Sequence, residues 1–571
     1  MPNSFWKQIA TASGDALHSL QSESRTVVVL SASGPVEDSE QLVVECVRAL
    51  RSGGLLFVYG QPYDLPSWGE ALLRNSDETA RLIFKYWIAI EIDDTPRGDF
   101  LKPSHRGLMM FVKQDGRRKS ATKFRLNSAD VKVPHQFCAA CQQNVKDWGG
   151  KKHLMNPKGT ALSDVWHDLP KSLLHDSVAP DSVLERVRAL TMTEGNHGLH
   201  IIQLSPRKTA RRLLPRVASE LTSPTATAVN GVRPTLLDQV HLEDCVSFLN
   251  RVAAENPEGV FDLAFADPPY NLAKNYDRYA DELSDLHYLD WCNQWLDGMA
   301  RTLKPGGSLF VLNLPKWAMH HAAFLNSRLE FRHWIAWDAL SDPRGKLMPA
   351  HYALLYYTKP GAKSAFNYAS LGKRTPSEAV SPPDAPKYCL RAACVRDRKA
   401  LGNDDKVELS DIWYDIHRIK HKRDRDAHPC QLPEKLMERI IRLTTNAGGL
   451  VFDPFCGAGT TAIAARKLGR HFITTECDPK YVRITNEKLA AMKEHADLFG
   501  EFIVPRSSTR KEKSFITKKA IETFLQQLAL QLGRVPTDAE IHAIDRDILQ
   551  AIDRIYPNRG AALKRCKVAL A

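Results

Sequence analysis

The fold of this chain is decided by the stretch LVFDPFCGAGTT, residues 450–461. Its first three residues form an apolar run typical of a buried parallel strand, and Gly457 and Gly459 remove side chains where the chain has to turn tightly. The alanine-rich segment after Thr460 predicts a helix. Strand, glycine loop and helix together predict an α/β fold that binds a ligand at the carboxyl edge of a parallel sheet. A tight turn without a ligand would use the same glycines.

Acidic residues near this loop strengthen the ligand interpretation. A second apolar run, residues 472–475, ends in Glu476. It lies about twenty residues beyond the glycines, where an acid in such folds commonly binds ribose hydroxyls. Asp453 adds a second carboxylate directly after the first strand. Both acids favour a nucleotide-like ligand over a turn with no ligand.

The hexapeptide FADPPY, residues 265–270, ends another apolar run and supplies a different chemistry. Asp267 offers a carboxylate, and the prolines fix the backbone so that the Pro268 carbonyl can accept a hydrogen bond beside it. An exocyclic amine donates two hydrogens, which these two groups could accept while the Tyr270 ring stacks on the base. A proline turn with a core tyrosine is the alternative interpretation.

Together these stretches resemble the amino-group DNA methyltransferases that use S-adenosylmethionine, of the type in which a DPPY motif precedes an FxGxG motif. HPCQLP, residues 428–433, resembles the HPTQKP segment of that family. LEDC, residues 242–245, resembles its GDC stretch, with Glu243 in place of glycine. The resemblance extends through residues 236–493.

The resemblance implies an activity and a set of site residues. It implies methyl transfer from S-adenosylmethionine to N6 of a flipped adenine at a specific site in double-stranded DNA, in a restriction-modification or related defence system. N4-cytosine in DNA, an RNA substrate, and a DNA-binding module without turnover are the alternatives. The implied catalytic residues are Asp267, Pro268, Pro269 and Tyr270. The implied cofactor-binding residues are Asp244, Asp267, His428, Gln431, Asp453, Pro454, Phe455, Gly457, Gly459, Thr460, Thr461, Glu476 and Asp478.

The amino-terminal part of the chain repeats the same organisation. Residues 51–58 match residues 304–311, with Gly53 against Gly306 (306 − 53 = 253). WIAI from Trp87 likewise matches WIAW from Trp334 (334 − 87 = 247). Matches in one order at nearly constant offset indicate an internal repeat.

This first copy lacks the residues of the site. SASG, residues 31–34, stands where the second copy has DPPY, and QLSPRK, residues 203–208, stands where the glycine loop would follow. The predicted fold is therefore α/β, with two tandem Rossmann-like methyltransferase domains and a small helical module. Residues 1–225 form the degenerate domain, residues 226–500 the catalytic domain, and residues 501–571 the linker and helical accessory module. We expect a monomer that acts as an intramolecular pseudo-dimer around DNA.

Charge and cysteine content are consistent with this prediction. The chain of 571 residues has a formal net charge of +12 and a pI of about 9.1, which favours a polyanionic partner. No run of eighteen apolar residues occurs, so we expect no membrane span. Eleven cysteines at irregular spacing predict reduced thiols and a cytoplasmic location.

Two cysteine pairs raise the alternative of a shared zinc site. Cys138 and Cys141 have the spacing of metal ligands, and Cys389 and Cys394 lie in the comparable part of the second copy. The spacing of the second pair does not match a zinc knuckle. We therefore expect no metal and keep the shared site as the alternative.

Two further segments are implicated in DNA binding by resemblance alone. The polar, proline-bearing residues 363–404 lie where families with this motif order place target recognition. Residues 516–571 predict a helical module, in which LGRVPT, residues 532–537, resembles helical repeats found beside homing endonucleases. A simple helical cap is the alternative for this module.

Overall fold

The computed structural model consists of two compact units, residues 1–487 and residues 488–571. Among the described helices, none combines the length and apolar character that crossing a membrane requires. The described residues are 10–11, 25–32, 40–74, 80–92, 101–115, 124–135, 137–144, 156–170, 178–192, 199–203, 233–272, 283–339, 346–367, 389, 391–401, 409–416, 418, 431–494, 518–538, 540–541, 552 and 563.

The larger unit contains two sheets, and the first is formed by the amino-terminal half, residues 10–203. The elements of this half are β1 (Ala10–Thr11), β2 (Arg25–Ser31), α1 (Glu40–Ala49), β3 (Leu50–Gly60), α2 (Leu65–Arg74), β4 (Ala80–Glu91), β5 (His105–Asp115), β6 (Lys132–Val133), β7 (Thr160–Ala161), β8 (Val165–Trp166), α3 (Asp181–Thr191) and β9 (Leu199–Gln203). The strand order is β1-β9-β2-β3-β5-β4-β8, and β6 pairs separately with β7. Only β5 runs antiparallel to its neighbours in the seven-stranded sheet.

The second sheet is formed by the second half, residues 233–487. The elements of this half are β10 (Gln239–Leu242), α4 (Cys245–Glu255), β11 (Phe261–Ala266), α5 (Asp285–Thr302), β12 (Leu303–Asn313), α6 (Pro315–Leu325), β13 (Glu330–Asp338), β14 (His351–Thr358), α7 (Ala392–Ala400), β15 (Ile412–Trp413), α8 (Glu434–Thr444), β16 (Leu450–Asp453), α9 (Thr460–Lys467), β17 (His471–Glu476) and α10 (Pro479–Glu494). The strand order is β10-β17-β16-β11-β12-β14-β13-β15. The α/β architecture predicted for this half is confirmed.

Parallel pairing in the second sheet brings the two quoted motifs to one edge. β11 and β16 are near-continuous apolar runs, typical of strands buried on both faces. They pair in parallel, with Leu263 opposite Val451, and β16 pairs in parallel with β17. Because parallel strands end on the same side, Asp267, the glycine loop and Glu476 meet at one edge.

The two sheets share a run of six strands. β9-β2-β3-β5-β4-β8 in the first sheet corresponds to β16-β11-β12-β14-β13-β15 in the second, with the same parallel and antiparallel senses. Gly53 in β3 and Gly306 in β12 occupy matching positions with φ of 77° and 78°. The expected boundary between the halves, near residue 225, lies outside the described residues.

The two halves pack closely against one another. The matching helices α2 and α6 are in contact, and a Cβ atom at Gly69 would lie 2.2 Å from Met319 Sδ. One hydrophobic cluster runs through both halves and includes Trp68 and Trp317. The halves therefore share a core.

Two buried carboxylates bind histidines across this interface in a reciprocal way. Asp411 Oδ1 lies 3.0 Å from His105 Nδ1, and Asp164 Oδ2 lies 3.2 Å from His351 Nδ1. In both cases the backbone amide of the residue before the histidine donates to the same carboxylate at 2.8 Å. Although burial raises the pKa of Asp411, His105 and His333 lower it well below its usual range. Each half thus contributes a buried carboxylate that contacts a histidine of the other.

The smaller unit contains α11 (Lys518–Leu532). Its buried residues, among them Ile521 and Leu525, pack with Ile541 and Ile552. Thr537 and Glu540 form reciprocal hydrogen bonds typical of a helix start. The sequence predicts three helices in this module, at residues 520–532, 537–556 and 560–568. The first corresponds to α11, and most of the other two lies outside the described residues.

Candidate active site

A cleft of about 230 Å³ lies at the carboxyl edge of the second sheet. It brings together most of the residues that the sequence implicated in catalysis and cofactor binding. Those that line it are Asp244, Asp267, Pro268, Pro269, Tyr270, Gln431, Asp453, Pro454, Phe455, Gly457, Thr460, Thr461, Glu476 and Asp478.

The turn after β11 holds the carboxylate of Asp267 in a fixed orientation. The Tyr270 hydroxyl donates to Asp267 Oδ1 at 2.5 Å. Asn271 follows with φ of 52°, in the left-handed region that asparagine tolerates better than most residues. Its amide side chain bonds both backbone groups of Leu283, at 2.7 and 2.8 Å. These bonds tie the turn to the segment just before the start of α5.

Three successive carbonyls of this turn differ in their partners. The Pro269 carbonyl accepts from the Tyr288 hydroxyl at 2.7 Å, and the Tyr270 carbonyl accepts from Trp317 Nε1 at 2.9 Å. Among the described residues, no group donates to the Pro268 carbonyl. This carbonyl and the neighbouring carboxylate form a pair of acceptors suited to a ligand with two N–H donors.

The glycines of the loop before α9 adopt conformations that other residues rarely adopt. Gly457 has φ of 49° and Gly459 has φ of 82°. A Cβ atom at Gly459 would lie 2.5 Å from Thr485 Cγ2, so this glycine allows the loop to approach α10. Gly459 is not among the residues that line the cleft, and its contact with the cofactor stays a prediction.

The carboxylate of Glu476 is bound by the glycine loop and by its own turn. Gly457 N donates to Oε2 at 2.9 Å, and Asp478 N donates to Oε1 at 3.0 Å. Burial raises the pKa of Glu476, while these backbone N–H groups lower it. The acid is thus preorganised at the strand end, where a ribose would be bound.

Asp453 fixes the beginning of the same loop. Its carboxylate accepts from Thr461 Oγ1 at 2.5 Å and from the Phe455 amide at 2.8 Å. Burial raises the pKa of Asp453 to about 6 despite these bonds, and the charge of Glu476 acts in the same direction. Asp453 therefore joins the two ends of the turn.

Two further acids that line the cleft also stabilise helix starts. Asp244 caps α4, because its Oδ1 accepts from Ser247 N at 3.0 Å. Asp478 precedes α10, and its Oδ1 accepts from Lys480 N at 2.9 Å. These bonds alone explain why an acid stands at either position.

The remaining implied residue, His428, lies outside the described residues. The cleft also includes residues that the sequence did not single out, notably Trp291, Leu432 and Tyr481. The Trp291 ring centroid is 5.7 Å from that of Phe455. Trp291 was missed because the aromatic spacing of α5 is typical of a helix facing a core. Tyr481 could have been found from its place in the first turn after the Glu476 strand.

The composition of the cleft suits a cationic cofactor with hydroxyl groups and an aromatic ring. Five carboxylates line it, and the described lining includes no lysine or arginine. The hydroxyl groups of such a cofactor could donate hydrogen bonds to the Glu476 carboxylate. The rings of Phe455 and Trp291 offer apolar surface to its aromatic ring. A sulfonium is attracted to this acidic surrounding. The residues present therefore fit S-adenosylmethionine.

Comparison with known proteins identifies the family. Residues 261–487 match the N6/N4 methyltransferase family model, described as DNA methylase. The chain is 30% identical over 237 residues to the type II methyltransferase M.HpaI of Haemophilus parainfluenzae, covering 41% of this chain and 69% of M.HpaI. It is also 30% identical over 257 residues to the DNA adenine methyltransferase YhdJ of Escherichia coli K12, covering 43% and 80%. The sheet edge and its cleft thus define a methyltransferase that uses S-adenosylmethionine. The chain belongs to the amino-group DNA methyltransferase family.

One relative is more similar in sequence but longer than the matched region. The type II methyltransferase M.BamHI of Bacillus amyloliquefaciens is 38% identical over 261 residues, which are 44% of this chain and 57% of M.BamHI. The chain therefore covers little more than half of that protein. Among solved structures, the M1.HpyAVI complex with SAM aligns over 44% of this chain and 98% of its own, at 20% identity and a TM-score of 0.31.

Proposed function

We propose that this protein transfers the methyl group of S-adenosylmethionine to the exocyclic N6 of adenine at a specific site in double-stranded DNA. The observation that carries the proposal is the pair of acceptors, Asp267 and the Pro268 carbonyl, in the same cleft as the Gly457 amide and Glu476. Similarity to a DNA adenine methyltransferase favours adenine. A restriction-modification or related defence system would use such an enzyme.

The residues of the turn would hold and orient the target amine. A flipped base reaches the cleft at the cost of its stacking, which is a few kcal/mol. Its two N–H groups would donate to Asp267 and to the Pro268 carbonyl, which would turn the nitrogen lone pair out of conjugation with the ring. The Tyr270 hydroxyl would keep the carboxylate in position, and its ring would contact the base.

The chemistry needs little base strength from the protein. The bound cofactor supplies an electrophilic methyl group on sulfur. On accepting that methyl group the target nitrogen would become cationic and acidic, and its proton would pass to Asp267 or to water. Positioning and the preorganised acceptors would provide most of the acceleration.

Residues 1–225 are proposed to be a degenerate copy of the same domain. The shared order of six strands supports this. By strand register Ser31 stands in the place of Asp267, and its hydroxyl oxygen accepts from the Ala179 amide at 3.0 Å. Ile201 stands in the place of Asp453 by the same register. The copy would thus lack both the amine acceptor and the loop acid, and would serve as a built-in partner.

The DNA is proposed to lie between the two halves, with basic residues beside the cleft. Arg418 Nη1 donates to the Tyr352 hydroxyl at 2.6 Å, and the Tyr352 ring lies 5.9 Å from that of Tyr270. The Arg418 guanidinium, beside the turn proposed to bind the target base, is suited to binding a phosphate of the DNA backbone. The formal net charge of +12 supports a polyanionic partner.

A methylation assay tests the activity and the base together. The full chain would be incubated with duplex DNA and S-adenosylmethionine, and the nucleosides would be analysed by mass spectrometry. We expect N6-methyladenine, a fall of about 10²–10³ in rate for Asp267→Ala with Tyr270→Ala, and little change for Ser31→Ala. Formation of N4-methylcytosine without N6-methyladenine would overturn adenine as the target base. Methylation of structured RNA in preference to DNA, or no product, would overturn the proposal.

A further inference from the structure

Four cysteine thiols from distant parts of the chain converge at one point. Cys138 Sγ lies 3.6 Å from Cys394 Sγ, and Cys141 Sγ lies 3.6 Å from Cys389 Sγ. All four sulfur atoms lie within 4.8 Å of one another. The first pair belongs to the amino-terminal half and the second pair to the second half, so the cluster spans both.

The separations between the sulfur atoms distinguish a metal site from disulfides. Four thiolates at about 2.3 Å from a tetrahedral Zn²⁺ are about 3.8 Å apart. A disulfide brings two sulfur atoms to about 2.05 Å. The observed 3.6 Å is close to the first value. We propose that Cys138, Cys141, Cys389 and Cys394 bind one Zn²⁺ that joins the two halves.

The surroundings of the thiols are those of a closed structural site. Three of the four cysteines are buried and Cys141 is half-buried, which excludes most water from the metal. Four sulfur ligands leave no open coordination position. None of the four residues lines the cleft at the sheet edge. The metal would therefore act on structure and take no part in methyl transfer.

A tight backbone turn and a buried cation lie beside the sulfur atoms of this cluster. Gln142, directly after Cys141, has φ of 54°, and its amide donates to the Cys138 carbonyl at 2.9 Å. This tight turn brings the first two sulfur atoms to one side. The guanidinium of Arg398 is 4% exposed and donates to Cys394 Sγ and to the Cys389 carbonyl, both at 3.0 Å. Its positive charge lies where it would offset part of the negative charge that four sulfur ligands bring to Zn²⁺.

The expectation of no metal, drawn from the sequence, rested on the spacing of the second pair. That argument considered each pair alone, whereas the fold brings Cys138 to Cys394, 256 residues away in sequence, and Cys141 to Cys389, 248 residues away. A pair with four intervening residues is within the range that zinc sites use.

Metal analysis of the full chain tests the proposal. The protein would be purified without chelators or an added metal-binding tag and analysed for metals and for free thiols. We expect about one zinc per chain, released when a mercurial blocks the thiols. Replacement by Co²⁺ should give the intense thiolate-to-metal absorption of a tetrahedral sulfur site.

Cysteine variants locate the metal. Cys141→Ser and Cys394→Ser should lower zinc to near zero, whereas Cys46→Ala, at a buried cysteine outside the cluster, should retain it. Wild-type protein with four free thiols and no metal would overturn the proposal. So would a Cys138–Cys394 disulfide found by mass spectrometry, or zinc retained in both variants. The wild-type measurements decide the question even if a variant fails to fold.

Discussion

Trp87 and Trp334 stack face to face, with ring centroids 3.7 Å apart and planes inclined by 5°. Both rings are buried, and they occupy matching positions in β4 and β13. Equivalent residues contact each other directly where an approximate two-fold axis passes between two similar halves, as in an isologous dimer interface. The same relation appears in the pairs His105–Asp411 and His351–Asp164.

The stacked tryptophans should make the stability of the two halves interdependent. We expect Trp334→Ala to lower the free energy of unfolding by about 3–5 kcal/mol, because it leaves a cavity in a shared core. Urea unfolding followed by circular dichroism would measure this. Leu286→Ala, at a leucine that is 76% exposed, should change it by less than about 0.5 kcal/mol. A loss confined to the second half, with the amino-terminal half still protected from proteolysis, would contradict the shared core.

The close contact between Gly459 and Thr485 predicts a specific pattern of substitutions. Gly459→Ala should destabilise the protein and weaken cofactor binding, because its Cβ atom would overlap the threonine and displace the loop. Gly469→Ala is the matched control, since it also has positive φ (67°) but meets nothing within 4 Å. Its cost should be limited to backbone strain, about 1 kcal/mol. Thr485→Ala should partly restore Gly459→Ala, and equal losses from both glycine variants would refute the contact.

Glu476 should dominate the affinity for the cofactor. Glu476→Gln removes a charged acceptor from the strand end, and we expect the Kd for S-adenosylmethionine to rise by about 10- to 100-fold, corresponding to 1.5–3 kcal/mol. Calorimetry on the full chain measures this. Glu255→Gln, at a surface acid paired with Arg233, should leave Kd unchanged. Unaltered affinity in Glu476→Gln would exclude the carboxylate from the cofactor site.

The raised pKa of Asp453 gives a pH dependence of stability with a definite sign. The folded protein holds a proton on this group up to about pH 6, whereas the unfolded chain releases it near pH 4. The unfolded state therefore binds fewer protons between these values, and the stability contributed by Asp453 falls as the pH rises from 4 to 6. Asp453→Asn removes this dependence.

The stability difference between Asp453→Asn and wild type should shift in favour of the variant by up to about 3 kcal/mol from pH 4 to pH 7. Urea unfolding at several pH values provides the measurement. Asp285→Asn, at an exposed acid, should follow the wild-type curve. A difference that stays constant with pH would show that Asp453 is ionised throughout.

The sequence predicted the catalytic half better than the connections between the halves. Asp267, Gly457 and Glu476 could be placed because each lies at the end of an apolar strand or in the turn that follows it, and parallel strands end at one edge. Gly459 was correctly placed in the loop, but its contact with Thr485 depends on the approach of α10, which no local pattern encodes. Trp291 was missed for a similar reason, since only the fold shows which turn of α5 faces the cleft. The four cysteines could be named from the sequence as an alternative zinc site, because the two pairs lie in comparable parts of the two copies, but only the fold shows that their sulfur atoms meet.

The reciprocal histidine and aspartate pairs have a consequence for how this protein tolerates change. His105 and Asp164 lie far in sequence from the cleft and contribute nothing to its lining. Yet losing Asp164 would remove the carboxylate that the buried His351 contacts, and losing His105 would remove one of the two histidines that contact Asp411, each at a cost of about 1–3 kcal/mol. Change in the amino-terminal half is thereby limited, and randomised libraries of that half should show His105 and Asp164 among its least tolerant positions.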